Sequence, residues 1–140
     1  MKRSIFIFIC FFLSFPLLAK DITGVWQTID DKTNKPKSDI EFTIKNGKLY
    51  GQVIGLYNDD PNYNPICKEC KGDLHNKPVI GLVIVDGLSL DDDTWSKDKA
   101  LLDPETGKKY DVRLWEENGK LQVRGYIGFF YRTQTWVRKQ

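Results

Sequence analysis

The chain has 140 residues, with 21 Lys and Arg against 19 Asp and Glu and a formal net charge of +2. This nearly neutral balance argues against nucleic acid as a partner, because nucleic-acid binding needs a basic patch or stripe. The length suits one domain with a single hydrophobic core.

The first 19 residues have the pattern of a secretory signal peptide. Lys2 and Arg3 give a positive start, an almost unbroken apolar run covers residues 5–18, and Ala19 is a small residue suited to cleavage. An uncleaved membrane anchor is the alternative, but the run falls short of the ~20 residues that span a bilayer. We therefore expect residues 20–140 to be exported, to the periplasm or beyond, as one soluble domain of zero net charge.

Hydrophobic periodicity in the remaining chain is close to two, which is typical of β-strands. Asn46-Gly47 and Asn118-Gly119 are strong hairpin signals, since both turn residues tolerate positive φ. Gly51 and Gly55 lie inside a strand and indicate the bending that barrel closure requires. The predicted strands cover residues 24–30, 38–45, 48–57, 78–86, 95–102, 109–116, 120–127 and 131–138.

Eight strands in meander order predict an all-β fold, a single eight-stranded antiparallel up-and-down β-barrel, with a two-sheet sandwich as the rival. The interior of such a barrel is either filled by side chains or holds one small ligand. Both readings use the same inward positions, and the hydroxyls of Tyr57 and Tyr110 would be the polar groups of a cavity. The positions predicted to line it are Phe42, Val53, Tyr57, Leu82, Ile84, Tyr110, Val112, Leu114, Val123 and Ile127.

The first strand begins with Gly24 and Trp26, and the last strand carries Arg132 and Arg138. In a closed barrel these strands are neighbours, so we expect one of the arginines to cover the indole ring through a cation–π contact. These four residues would then close the barrel structurally. The alternative is a core tryptophan with unrelated surface arginines.

Cys67 and Cys70 lie in the long irregular stretch 58–77. In an exported protein such a pair favours a structural disulfide. A redox-active pair would need a helix N-terminus to lower the thiolate pKa, and none is predicted here. A metal site with His75 and Asp73 would lack the spacing of a zinc set, so we expect no metal.

Acidic residues suggest two further sites, neither of which is favoured. Asp91–Asp93, with Asp86 and Asp98, lack the spacing of a calcium loop and are typical of a solvated turn. Asp103 and Glu105 could be a carboxylate pair for glycoside chemistry, but they lie on a tight turn. With a single histidine, no Ser/His/Asp set is credible, so we expect no enzyme activity and no cofactor.

Several motifs together resemble one bacterial family of exported proteins, known as domain of unknown function 2147. The resemblance extends over the whole expected mature chain and implies a lipocalin-like barrel, with Gly-x-Trp at the closed end and a habit of binding apolar molecules. The chain departs from typical lipocalins in being short and in lacking a terminal helix. The motifs are Gly24-x-Trp26, Gly47–Gly51, Cys67-x-x-Cys70, Leu102–Tyr110, Val123–Tyr126 and Arg132–Arg138.

The expected function is that of a monomeric exported protein that binds a small hydrophobic or amphipathic, lipid-like molecule inside the barrel. A second hypothesis is an interaction module that docks on an envelope protein or glycan through the loop 58–77 and the aromatic edge of Trp95 and Trp115, with no internal ligand. A third is a hydrolase that uses Asp103 and Glu105.

Overall fold

Eight antiparallel strands form a closed barrel in the computed structural model, which describes residues 21–140. Each strand pairs with the next, and β8 pairs with β1, so the predicted up-and-down barrel is confirmed. The predicted signal peptide lies outside the described residues. The strands are β1 (Gly24–Ile29), β2 (Pro36–Lys45), β3 (Lys48–Leu56), β4 (Val83–Asp91), β5 (Thr94–Leu102), β6 (Lys109–Glu117), β7 (Lys120–Ile127) and β8 (Phe130–Arg138), and one 3₁₀ turn covers Gly72–Leu74.

The two Asn-Gly turns form hairpins at the end of the barrel where β1 begins, which we call the base. Asn46 and Gly47 have φ of 51° and 73°, and Asn118 and Gly119 have φ of 54° and 75°. Positive φ at both central residues matches the twist of a two-residue hairpin, which is why Asn-Gly is favoured there. The opposite end, called the mouth, carries the loops that follow β1, β3, β5 and β7.

Strand β4 differs from its predicted position, because it covers residues 83–91 and not 78–86. The apolar run that suggested an earlier start is broken at Gly81, whose φ is +104°. The Gly81 N–H donates to the Val53 carbonyl at 2.8 Å, which ties the turn to β3. Farther along, Gly87 has a φ of +72°, in keeping with the irregular pairing of β4 and β5 at this point, and the strand continues to the turn after Asp91.

The seam between β1 and β8 closes the barrel unevenly. Its aligned pairs are Trp26 with Arg138 and Gln27 with Val137, both near the base. Toward the mouth, side chains replace the backbone ladder, since Asp31 forms an ion pair with Arg132. The backbone seam is therefore shorter here than between any other neighbouring strands.

The barrel interior is filled by side chains from the base to the middle of the strands. A Cβ atom added to Gly51 would lie 2.9 Å from Phe42 Cε1 and 3.1 Å from Val85 Cβ. The first distance is shorter than real Cβ contacts and the second is unusually short, so a methyl group there would force the neighbouring side chains to shift. The fully buried side chains around this point are Trp26, Ile40, Phe42, Leu49, Val85, Leu88, Leu114 and Leu121.

Trp26 forms the floor of the barrel, and Arg138 covers it. The Arg138 guanidinium lies 4.2 Å from the indole centroid and donates to the Thr23 carbonyl at 2.7 Å and the Asp21 carbonyl at 2.8 Å. The indole N–H donates to the Ile22 carbonyl at 2.9 Å. The base is thus closed by a cation–π contact and two hydrogen bonds from Arg138 and one hydrogen bond from Trp26, and the arginine is Arg138, not Arg132.

Candidate functional site

The long loop between β3 and β4 covers part of the mouth. Its disulfide joins Cys67 and Cys70, whose Cα atoms are 5.4 Å apart, and both residues belong to the same buried cluster as the barrel core. The Cys67 N–H donates to the Lys77 carbonyl at 2.8 Å, and the Asn76 N–H donates to the Cys67 carbonyl at 2.9 Å. The loop is therefore a braced structure, and its sulfur atoms are occupied by the disulfide.

Metal binding by this loop finds no support in its geometry. The Nδ1 atom of His75 lies 3.1 Å from the Cys70 carbonyl oxygen, within hydrogen-bond distance of the backbone. Across residues 21–140, no group of three His, Cys, Asp or Glu side chains is placed to hold a metal ion.

The turn between β5 and β6 packs against this loop, and both carboxylates of the turn have partners. Asp103 accepts hydrogen bonds from the Glu105 N–H and the Thr106 hydroxyl, each at 2.9 Å. Glu105 forms an ion pair with Lys37 at 2.7 Å, and this hydrogen bond raises the pKa of the Lys37 ammonium group above its ordinary value. A Cβ atom at Gly107 would lie 2.0 Å from the Glu69 carbonyl oxygen, so the two backbones touch.

On the uncovered side of the mouth, half-buried residues of β5, β6 and β7 form an apolar step. Leu101 and Tyr110 are aligned in the β5–β6 ladder. A Cβ atom at Gly125 would lie 3.5 Å from Leu101 Cδ2 and 3.7 Å from Tyr110 Cβ, which are ordinary contact distances. On the neighbouring strand Gly125 is aligned with Arg132. A larger side chain or an apolar ligand could rest on this step, with the arginine beside it.

Two of the ten residues predicted to line a cavity are more than 40% exposed. Tyr57 is 42% exposed, and its hydroxyl accepts from Gln27 Nε2 at 2.5 Å and donates to Asp39 at 3.1 Å. The β2–β3 register shifts between Asp39 and Ile40, and Tyr57 follows the end of β3, so it reaches the outer face. Ile127 is 57% exposed because it ends β7 at the rim of the mouth.

The other eight predicted residues are buried or half-buried. Ile84 nevertheless faces away from the interior, because Val85 points inward against Gly51 and successive side chains of a strand alternate between the two faces. Tyr110 is half-buried and belongs to the step. The remaining seven are buried members of the core: Phe42, Val53, Leu82, Ile84, Val112, Leu114 and Val123.

A cluster on the outer face was not anticipated from the sequence. Asp39 is 5% exposed, yet it lies on the outside of the barrel, where Lys139 forms an ion pair with it. The hydrogen bond to Asp39 raises the pKa of the Lys139 ammonium group. Gly55, aligned with Asp39, leaves room for the carboxylate. The cluster fastens the C-terminal end of the chain to β2.

A polar hollow of about 250 Å³ lies beside the irregular part of β5. Here three residues of β5 face one residue of β6, with Lys99 at a φ of 52°. The Lys99 N–H donates to Asp111 at 2.9 Å, and the Arg113 guanidinium lies 5.6 Å from the Tyr126 ring. Asp111 and Arg113 alternate with buried residues, so the hollow opens on the outer wall. Lys97, Asp98, Asp111, Arg113 and Tyr126 are among the residues that line it.

The acidic run Asp91–Asp93 forms the end of β4 and the turn to β5, and Asp92 takes a φ of 57°. The aromatic edge proposed from the sequence is divided by the sheet. Trp95 is buried and aligned with Leu114, whereas Trp115 is half-buried beneath the Arg124 guanidinium at 5.0 Å.

The turn between β7 and β8 carries the most exposed apolar side chains of the barrel. Phe129 is 100% and Phe130 81% exposed, with Ile127 and Tyr131 on either side. The sequence signal for this feature is the uncharged run Ile-Gly-Phe-Phe-Tyr, whose three central residues fall between the predicted strands 120–127 and 131–138. We call Ile127, Phe129, Phe130 and Tyr131 the aromatic tip.

Comparisons with known proteins support the barrel and leave its ligand open. A family described as an uncharacterised protein conserved in bacteria, DUF2147, matches residues 24–138. A solved structure described as protein HP1028 from the human pathogen Helicobacter pylori, belonging to the lipocalin family, is 25% identical to the chain. The match covers 86% of this chain and 84% of that one, with a TM-score of 0.72. No curated protein matches the chain. Among residues 21–140, no helix has the length and apolar character to cross a membrane.

Proposed function

Because the chain belongs to the DUF2147 family of uncharacterised bacterial proteins and forms a lipocalin-like barrel, we propose that it is an exported monomer that binds a small hydrophobic or amphipathic molecule. The observation that carries the proposal is the apolar step of Leu101, Tyr110 and Gly125 at the uncovered side of the mouth. We propose no catalytic role, because the Asp103 carboxylate accepts a hydrogen bond within its own turn and the Glu105 carboxylate forms an ion pair with Lys37.

Packing around Gly51 limits how deeply a ligand can enter. The base half is filled, so the ligand would lie in the mouth half, with its apolar part on the step. Its polar end would lie near Arg132, which is aligned with Gly125. Burial of roughly 300 Å² of apolar surface at about 25 cal/mol per Å² gives on the order of 7 kcal/mol. We therefore expect affinities near the micromolar range.

The test is displacement of a fluorescent fatty-acid probe, combined with native mass spectrometry of protein purified from its own host. Gly125→Leu should fill the step and weaken probe binding roughly tenfold or more. Gln122→Leu, a change on the outer face of the same strand, should leave probe binding unchanged. Equal binding by both variants, or no probe binding together with no copurifying molecule, would refute the proposal.

A second candidate function is docking to an envelope protein or glycan through the loop 58–77. The loop is braced by its disulfide and exposes Tyr63 and Ile66, each 42% exposed. A rigid loop with exposed apolar groups loses little entropy on binding. The double change Tyr63→Ser and Ile66→Ser should abolish capture of an envelope partner while leaving probe binding intact. Capture that survives the change would eliminate this candidate.

A further inference from the structure

The aromatic tip presents apolar surface to solvent at the far end of a two-residue turn. Phe129 is fully exposed, so no other residue of the described chain shields its ring. The tip lies at the mouth, and its neighbour Tyr126 packs against Tyr131 with ring centroids 5.8 Å apart. The paired strands β7 and β8 therefore support the tip, while the side chains of Phe129 and Phe130 remain exposed to solvent.

The strands that carry the tip hold only basic charges. Residues 120–140 include five Lys or Arg and no Asp or Glu, but Lys120, Arg138 and Lys139 lie toward the base and Arg132 forms an ion pair with Asp31. Arg124 is therefore the cation of these strands that bears on the tip. The Arg124 guanidinium lies 4.4 Å from the Tyr131 ring, and its Nε donates to the Thr133 hydroxyl at 2.7 Å. The Arg124 guanidinium thus lies directly behind the apolar tip. It would contact anionic headgroups once the tip had entered the apolar part of a membrane.

We propose that the aromatic tip inserts into the interfacial region of a lipid bilayer that carries anionic headgroups. Aromatic side chains flanked by Arg are suited to this boundary, because the rings enter the acyl region while the guanidinium groups stay at headgroup level. This inference goes beyond the proposed function and does not depend on any ligand.

The size of the tip favours a bilayer over a second copy of the chain. Three aromatic side chains and one isoleucine offer on the order of 500 Å², judged from the 150–250 Å² that an aromatic residue buries. A stable protein interface needs about 800 Å² from each partner and a complementary shape. A bilayer accepts a small projecting tip without shape complementarity.

The first test places a reporter at the tip. The experiment uses protein isolated from its own host, with the N-terminus established by intact mass. Phe129→Trp should show blue-shifted emission and quenching by brominated phospholipid in vesicles of phosphatidylcholine with phosphatidylglycerol. Leu90→Trp is the matched control, because Leu90 lies at the base and is 45% exposed in the native protein. It should show neither the blue shift nor the quenching. Absence of quenching at residue 129, or equal quenching at both positions, overturns the proposal.

The second test removes the apolar groups. The double change Phe129→Ser and Phe130→Ser should reduce vesicle cosedimentation by roughly tenfold or more, since each ring loses its burial. Ile44→Ser, at another exposed apolar position, should have no such effect. Both variants should melt as the native protein does. Unchanged cosedimentation of the double variant overturns the proposal, and so does a native protein that binds no vesicle but forms a dimer dependent on the tip.

Discussion

Gly51 is the residue on which the filled interior depends most directly. Its missing side chain is the space occupied by Phe42, Val85 and Ile40, each of which would lie within 3.2 Å of an added Cβ atom. Gly51→Ala should therefore lower the free energy of unfolding by about 1–3 kcal/mol, as overpacking does in tight cores. Urea denaturation measures this effect.

Gly55 on the same strand is the matched control. A Cβ atom there would lie 3.5 Å from the Asp39 carboxylate, which is an ordinary contact. Gly55→Ala should change stability much less than Gly51→Ala. Equal losses of stability at the two positions would contradict the tight packing around Gly51.

Arg138 is the second residue for which a single change is informative. Arg138→Ala removes the cation over Trp26 and two charge-assisted hydrogen bonds, which should cost about 1–3 kcal/mol. Arg132→Ala removes an exposed ion pair and should cost less than about 1 kcal/mol. Thermal denaturation of the two variants should rank them in this order, and the reverse order would contradict the assignment of the base to Arg138.

The sequence could predict that an arginine of the last strand lies near Trp26, but it could not distinguish Arg132 from Arg138. The choice depends on the register of the β1–β8 seam, which involves residues more than a hundred positions apart. The same limit affected Tyr57. Alternation along β3 directed it inward, whereas the shift in the β2–β3 register beside Asp39 accompanies its outward position.

Among the elements, the start of β2 and the β5–β6 turn are joined by the Lys37–Glu105 ion pair. The pKa of Lys37 is raised by Glu105, so this pair contributes stability that is fully present below the ordinary lysine value of 10.5 and is lost as the pH rises through the folded value. Both side chains are at least half exposed, so the effect should remain below about 1 kcal/mol.

Glu105→Gln should remove this part of the alkaline loss, leaving a flatter decline of the melting temperature above pH 10.5. Glu41→Gln, at an exposed position of β2, removes the same negative charge without touching this ion pair and serves as the control for the change in net charge. An alkaline decline that stays as steep in Glu105→Gln as in the native protein would show that the ion pair contributes nothing measurable.

Strand prediction was accurate where turn chemistry marked the boundaries. Asn46-Gly47 and Asn118-Gly119 fixed two hairpins, and alternation fixed the strands beside them. The prediction for β4 was wrong by about five residues at each end, because the apolar run 79–85 spans both a braced turn and the strand. An apolar run indicates burial, and burial occurs in both kinds of structure.

For the whole molecule, the short β1–β8 seam is where we expect the barrel to open first. Residues 131–135 of β8 pair with β7 but are outside the aligned pairs with β1. Their amides that point toward β1 should exchange with solvent faster than those that point toward β7. Hydrogen exchange followed by NMR distinguishes the two sets, and uniform protection along β8 would contradict the expectation.

Barrel closure could be predicted from the number and order of the strands, but occupancy of the interior could not. Residues such as Phe42, Val112 and Leu114 would serve equally as a cavity wall or as a filled core, and only their mutual distances separate the two. The candidate site therefore lies at the mouth and not in the interior. Leu101 and Gly125, which form part of it, have no distinguishing pattern in the sequence.

The contacts at the base bring the two ends of the described chain together. Arg138 reaches Asp21, and the Lys139 N–H donates to the Val25 carbonyl at 2.9 Å. A short peptide could therefore connect residue 140 to residue 21, and a circularly permuted gene could open the chain at one of the base hairpins without disturbing the mouth. A fluorescent protein fused after residue 140 would likewise point away from the mouth, which gives imaging and immobilisation experiments a handle that leaves the aromatic tip free.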